Sequence, residues 1–357
     1  MTDASPPFTR ALRTCTLLTS AALLTLVAAL ALRADPIPIL LAVLAALVLV
    51  PVTLVLAYAR LASRLVPAPH AALTAGGVAA VLTLAGLYAL GVAAMDRRLA
   101  ADGFAGAYAD CHKLWATRGL VAPGLSGDAT AGNDAAALTA AFARGAPGVE
   151  VDVYYDPQLA DFVVSHDFPY RRRDGQLLML EALLADSDPS KHFWLDFKRH
   201  QKLSSAQAEA AAARLAVLAA RSGIARERLW IEGTEPFNLM PFVHAGFSTI
   251  FDVHPPRDGH PLQPLATELH KAVFVLGGFT VMGMNFGTEA DPIYGPRATA
   301  RLGPIPLFLY HVPTDRALLA RLAASSRVRV LLPGDHSADL FDIDACGASG
   351  ATGEHDR

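Results

Sequence analysis

Glu150 and Asp152 stand in the run Gly148-Val149-Glu150-Val151-Asp152, and His166 and Asp167 close the run Asp161-Phe162-Val163-Val164-Ser165-His166-Asp167. Both runs read as β-strand. Side chains alternate faces along a strand, so Glu150 and Asp152 share one face while Val149, Val151 and Val153 pack on the other. Two carboxylates on one face offer the hard oxygen ligands that Mg²⁺ or Ca²⁺ takes, and His166 is the residue type that moves protons near neutral pH. An isolated Glu-x-Asp pair is more often the solvated face of an edge strand. Asp196 and Lys198 repeat the alternation in Phe193-Trp194-Leu195-Asp196-Phe197-Lys198; alone, they read as a surface ion pair worth under about 1 kcal/mol. A further strand-like run, Lys113 to Gly119, precedes both. Between them, Gly132-Asn133 opens a helix-like segment that ends at Arg144-Gly145.

The order Ala-Thr-Arg-Gly, Gly-Asn-Asp before a helix, Gly-Val-Glu-Val-Asp-Val, Val-Val-Ser-His-Asp and Leu-Asp-Phe-Lys resembles the glycerophosphodiester phosphodiesterase family. More broadly it is similar to the phosphatidylinositol phospholipase C-like phosphodiesterase barrels, including the venom sphingomyelinases D. The family motifs are His-Arg-Gly, Glu-Asn-Thr, Glu-x-Asp, His-Asp and Glu-x-Lys, and the resemblance spans residues 112 to 337. It implies that Glu150, Asp152 and Asp196 hold a divalent cation, Asp196 standing where the family has Glu. It also implies that His166 is catalytic, that Lys198 and Arg118 contact phosphate, and that the reaction passes through a cyclic phosphate. The chain departs from the pattern at Thr117, which falls on the family's first catalytic histidine, and at Gly132, which falls on the Glu of Glu-Asn-Thr. A threonine hydroxyl does not titrate near neutral pH and cannot replace an imidazole. His112 lies toward the wrong end of that strand. His254 and His311 each end an apolar strand-like run and are the better substitutes, with a structural role equally open for either.

These residues need a frame that brings strand ends together. Arg228 to Glu232, Ser248 to Asp252, Phe279 to Asn285, Ile305 to His311 and Val328 to Leu332 each read as a short buried strand. Helical patterns separate most of them; the clearest, Ser204 to Ser222, has a serine start and stops at Gly223. With Asp161 to Asp167 taken as an added hairpin strand, eight strands alternate with helices over about 225 residues, which suits an α/β fold of the (β/α)₈ TIM-barrel type. The active site then lies at the carboxyl ends of the strands. Glu150, Asp152, His166, Asp196, Glu232, Asp252, His254, Asn285 and His311 all fall there. Thr117, Glu232, His254, Asn285 and His311 are accordingly expected to contact substrate.

The first hundred residues are a different material. Residues 14–32, 37–59 and 71–95 are uncharged, and each run is long enough to cross a bilayer core of about 30 Å. A membrane anchor of three helices over residues 1–100 is therefore expected before a barrel over 105–346. The small residues Ala75, Gly76, Gly77, Gly86 and Gly91 suit close helix contacts. Arg10, Arg13, Arg60 and Arg64, set against Arg33, Arg97 and Arg98, give a slight positive-inside bias. That bias puts the N-terminus in the cytoplasm and the barrel outside the cell membrane. Cys15 falls in a span, whereas Cys111 and Cys346 flank the barrel, where they either pair in an oxidising compartment or stay as free thiols.

With 30 Lys and Arg against 33 Asp and Glu, the chain carries a net charge of −3, and no basic stripe interleaved with aromatics points to nucleic acid. Arg171-Arg172-Arg173 is the dense positive patch. It reads as a solvated loop by default, with contact to phosphate or anionic headgroups as the alternative. The expected partners are a phosphodiester or phospholipid substrate and the membrane. Residues 347–357 read as a disordered tail, and the oligomeric state is left open.

Overall fold

The computed structural model describes residues 14–19, 36–62, 69–104, 106–120, 132–173, 175–254, 259–287, 296–334 and 340–343. The chain divides into two compact units, Met1–Met95 and Asp96–Arg357.

In the first unit, the apolar run Pro36–Ala62 and the longer Pro69–Ala101 form helices. Small side chains let these helices approach. A Cβ on Gly76 would fall 2.5 Å from the backbone N of Ala59, whereas Gly77, Gly86 and Gly91 face open space. The Tyr58 hydroxyl and Thr83 Oγ1 pair at 2.9 Å across the contact, which gives each half-buried hydroxyl a partner. Among the described residues, one helix, Thr74–Ala101, is long and apolar enough to cross a membrane, and Leu49–Ala62 is a shorter apolar stretch. Most of the expected span 14–32 lies outside the described residues, as does the tail 347–357.

The second unit is a parallel barrel. Strands β1 (Ala116–Thr117), β2 (Gly148–Asp156), β6 (His192–Phe197), β7 (Leu229–Gly233), β8 (Ser248–Asp252), β9 (Val281–Asn285), β10 (Leu307–Val312) and β11 (Val328–Pro333) follow one another around the sheet. Leu114 bridges Leu331 in parallel, with Trp115 N donating to Leu331 O at 3.0 Å, and so brings the last strand to the first. The hairpin strand β3 (Asp161–Val164) pairs antiparallel with β2, as its sequence suggested. A small ribbon, β4 (Arg172–Arg173) with β5 (Gln176–Leu177), follows it. All eight expected barrel strands are present. The first is shorter than expected because only Ala116 and Thr117 hold ladder register with β2.

Helix Ser205–Ser222 shows how local chemistry fixes the connections. Ser204 and Gln207 form a reciprocal capping box, and Gly223 ends the helix at φ +70°, a conformation that costs glycine little. Inside the barrel, alternation aims Trp115, Trp194, Trp230, Ile250, Val281, Phe308, Val330 and Leu332 at one another. Trp230 and Phe308 lie 4.8 Å apart by ring centroid. A Cβ on Gly148 would come within 2.5 Å of the Trp115 indole, so β2 begins with the one residue that leaves the ring its space. Each buried tryptophan removes about 150–250 Å² from water, worth at most roughly 4–6 kcal/mol. This aromatic floor offsets the cost of the charges seated on top of it.

Candidate active site

Alternation that points the tryptophans inward at mid-height points the next inward residues into the mouth. Asp152 is in register with Asp196, and Asp196 with Glu232; Trp194 lies below Asp196, and Trp230 below Glu232. The result is a cavity of about 300 Å³ lined by Thr117, Arg118, Glu150, Asp152, His166, Trp194, Asp196, Lys198, Glu232, Asp252, Tyr310, His311 and Leu332. Most of the residues singled out in sequence meet there.

Glu150, Asp152 and Asp196 each present an oxygen within 4.8 Å of the other two. Asp152 is fully buried and held on all sides. Asn133 Nδ2 donates to its Oδ2 at 2.7 Å, and its backbone N donates to Asn133 Oδ1 at 3.0 Å. Arg118 Nε lies 2.9 Å from Oδ2, and Lys198 Nζ lies 2.8 Å from Oδ1. Lys198 also donates to Asp196. Glu150 Oε2 accepts from the backbone N of Arg118 at 3.0 Å. Burial, with Asp152 and Asp196 close by, pushes the Glu150 carboxyl well above the usual range. Burial opposes the charge on Lys198, yet Asp196, Asp152 and Glu150 outweigh it and raise the ammonium above its ordinary value.

The donor set fits a hard divalent cation. Three carboxylates converge, two of them buried, and Asp152 Oδ1 has Lys198 Nζ beside it at 2.8 Å. All-oxygen ligation by carboxylates is the preference of Mg²⁺ and Ca²⁺.

Two histidines line the same mouth. His166 Nδ1 pairs with Asp167 Oδ1 at 2.8 Å, which orients the ring and leaves Nε2 for exchange. His311 follows the inward Tyr310 and would face outward on a regular strand. A φ of +53° and a break in the β10–β11 register turn it back to the cavity. Partial burial, then Lys198 and Arg118, hold its imidazole below the ordinary histidine value. Asn285 Nδ2 and His311 Nδ1 are 3.1 Å apart, so Asn285 meets the site through His311 and does not line the cavity. His254 also stands outside the cavity, its side chain 68% exposed and 3.7 Å from Asp252. His112 is exposed and pairs with Asp110. Thr117 Oγ1 lines the mouth but donates to Pro333 O at 2.8 Å, which commits its proton to the backbone.

Arg118, Asn133, Arg199 and His311 all have φ between +53° and +56°. Non-glycine residues held there carry strain, and such positions concentrate at functional sites.

Several contributors escaped the sequence reading. Asn133 was read as a helix start and as part of the Gly-Asn-Asp motif, with no role assigned, although it is the main support of Asp152. Arg173 donates to Asp134 at 2.6 Å and to the carbonyl of Gly132 at 2.6 Å, so part of the Arg171–Arg173 run braces the loop that carries Asn133. Tyr310 was passed over in favour of its neighbour, but its parity with the inward Phe308 is a signal that could have found it. Tyr310 donates to Asp252 Oδ1 at 3.1 Å, and Trp194 Nε1 donates to Glu232 Oε2 at 2.6 Å. Burial pushes the Asp252 carboxyl up to about 7 and raises Glu232 well above its usual range, Asp196 and Asp252 adding to the rise in Glu232.

No family model matches the chain, and no curated protein does. Among solved structures, a phosphodiesterase from Oleispira antarctica in complex with the product sn-glycerol-3-phosphate matches with a TM-score of 0.47 and 10% identity, over 65% of this chain and 96% of that one. A glycerophosphodiester phosphodiesterase from Thermotoga maritima matches with a TM-score of 0.45 and 15% identity, over 64% and 96%. That from Agrobacterium tumefaciens matches with a TM-score of 0.41 and 16% identity, over 64% and 98%. At such identities and scores the functional reading rests on the geometry of the site itself.

Proposed function

We propose that this chain is a membrane-anchored, metal-dependent phosphodiesterase that cleaves glycerophosphodiesters or phospholipid headgroups. The observation that carries this reading is the meeting of a three-carboxylate cradle with Lys198, Arg118, His166 and His311 in one barrel mouth. Glu150, Asp152 and Asp196 would hold Mg²⁺ or Ca²⁺. When bound, such an ion neutralises charge on the nonbridging phosphate oxygens. Lys198 and Arg118 add fixed positive charge at the place where negative charge develops.

One histidine takes the proton from the attacking hydroxyl as the new P–O bond forms, and the other gives a proton to the leaving oxygen as its P–O bond breaks. His166, oriented by Asp167, is assigned one role. His311 takes the other, because Thr117 has its proton engaged by Pro333 O. Glu232, Asp252 and Tyr310 line the mouth as partners for substrate hydroxyls.

The anchor is read as three helices over 14–32, 37–59 and 71–95, with the barrel outside the cytoplasm. Support comes from the apolar helix Thr74–Ala101 and from Cys111, which is disulfide-bonded, as thiols are in oxidising compartments. Cys346, with which the sequence left a pairing open, lies outside the described residues. A reporter that works only outside the cytoplasm, fused after Arg357, is expected to be active; activity of a cytoplasm-only reporter there contradicts the orientation.

A second reading keeps the cradle as a headgroup-binding site with impaired turnover, and the engaged Thr117 hydroxyl is the observation that favours it. Hydrolysis of a panel of glycerophosphodiesters and lysolipids, with and without EDTA, separates the two. Chelator-sensitive release of product supports the enzyme, whereas binding without release supports the second reading.

A further inference from the structure

The helix Gln263–Gly277 is apolar on its outer face and mixed on its inner one. Its inner face buries Thr267, Lys271, Phe274 and Val275 against the barrel. On the outer face Leu262, Leu265, Leu269 and Leu276 are 59%, 56%, 60% and 75% exposed. At 100° per residue these four leucines fall within an arc of about 60°. Glu268 and Lys271 are the only charges in the helix, and they pair with each other at 2.9 Å. The outer face therefore presents leucine where a surface helix normally presents charge. Helix Ser205–Ser222 of the same barrel carries Glu209 and Arg221 and exposes a single large apolar residue, Val217.

What covers the leucines is indicated by Lys271. Its Nζ pairs with Asp96 Oδ1 at 2.5 Å, and Asp96 is the first charged residue after the uncharged run 71–95. The helix that bears the stripe is thus fastened, by one ion pair, to the residue at which the chain leaves its apolar span. We infer that Leu262, Leu265, Leu269 and Leu276 lie in the acyl-chain and headgroup boundary of the bilayer and seat the barrel on the membrane surface. An amphipathic helix held in this way buries its apolar face about 5–10 Å deep. Because the helix follows β8, Leu262 is at the end nearer the mouth, and the seat brings that rim to the level of lipid headgroups. The inference rests on reading Thr74–Ala101 as a membrane span.

The test uses the full chain in vesicles of phosphatidylcholine and phosphatidylglycerol, with and without bromine on the acyl chains. In a Cys15→Ser background, Leu269→Cys, Val217→Cys and Leu82→Cys are each labelled with a solvent-sensitive dye. Brominated lipid is expected to quench the dye at 269 and at 82 but not at 217, and adding Leu265→Asp with Leu262→Asp is expected to abolish quenching at 269. Quenching at 82 without quenching at 269 overturns the seat and leaves the span intact. Loss of quenching at 82 alone refutes the span and, with it, the argument from Asp96 for a seat beside that span, and loss at both sites overturns both. Protection of 269 from aqueous iodide without lipid quenching, together with cross-linking between 269 positions, assigns the stripe to a second copy of the chain and overturns the inference.

Discussion

Asn133 grips Asp152 at two points, donating from Nδ2 to the carboxylate and accepting from the backbone N of the same residue. The pair fixes both the rotamer and the height of the most buried acid in the mouth. Asn133→Gly keeps the positive φ at no steric cost and removes only the side chain. Metal affinity is expected to fall by about 10–100-fold, as it does when an outer support of a ligand is lost. Calorimetric titration with Mg²⁺ and Ca²⁺ measures this, and an unchanged affinity removes Asn133 from its supporting role.

Glu150→Gln removes one charge from the cradle while leaving an oxygen to accept from Arg118 N. A ligand that binds only the folded state stabilises it by RT ln(1 + [L]/Kd), about 2.7 kcal/mol at a hundredfold excess over Kd. That stabilisation is expected in the parent chain and absent from Glu150→Gln in thermal melts with and without metal. An equal shift in both would take Glu150 out of the site.

His200 supplies a pH dependence independent of the cradle. It is 2% exposed, and its Nε2 accepts from the backbone N of Glu235 at 3.0 Å. Burial pushes its imidazole down to about 4, against about 6.5 in an unfolded chain. Between those values the unfolded state binds the extra proton, so the stability is complete above pH 6.5 and is lost as pH falls toward 4. The slope is at most about 1.4 kcal/mol per pH unit for one such group. His192, also pushed down to about 4 by burial and then by Arg228, acts in the same direction. Chemical unfolding across this window is expected to be shallower in His200→Asn, and equal slopes would contradict the assignment.

Thr117→His restores an imidazole at the position where the resembling family has one. With its hydroxyl bonded to Pro333 O, Thr117 contributes no proton transfer. Because His311 already supplies the second proton-transfer group, the substitution is expected to leave turnover of glycerophosphodiesters close to the parent rate in the parent background and to restore it in a His311→Ala background. A gain of about 10²-fold in the parent background, the usual effect of adding a positioned acid or base, would contradict the assignment of His311.

The barrel was legible because its strands are short apolar runs with polar ends, and the period of two fixes which residues point inward. Glu150, Asp152, Asp196 and Glu232 could be placed in one mouth by that parity alone. His311 reaches the mouth against parity, through a left-handed backbone that no local pattern announces. His254 had the same sequence credentials and stands outside. The roles of Asn133 and Arg173 were illegible for a different reason: their partners are 19 and about 40 residues away, and only the closed barrel brings them together. In the first unit, composition shows apolar helices, yet it does not tell Gly76, which meets the backbone of Ala59, from Gly77, which meets nothing.

The most direct test of the proposed chemistry is the initial rate of glycerophosphodiester hydrolysis by the full chain in saturating Mg²⁺ or Ca²⁺, compared with His166→Ala, His311→Ala and His254→Ala. The account predicts measurable, EDTA-sensitive hydrolysis that His166→Ala abolishes and His311→Ala lowers by about 10²-fold or more, with His254→Ala close to the parent rate. Equal rates in the parent, His166→Ala and His311→Ala would contradict it.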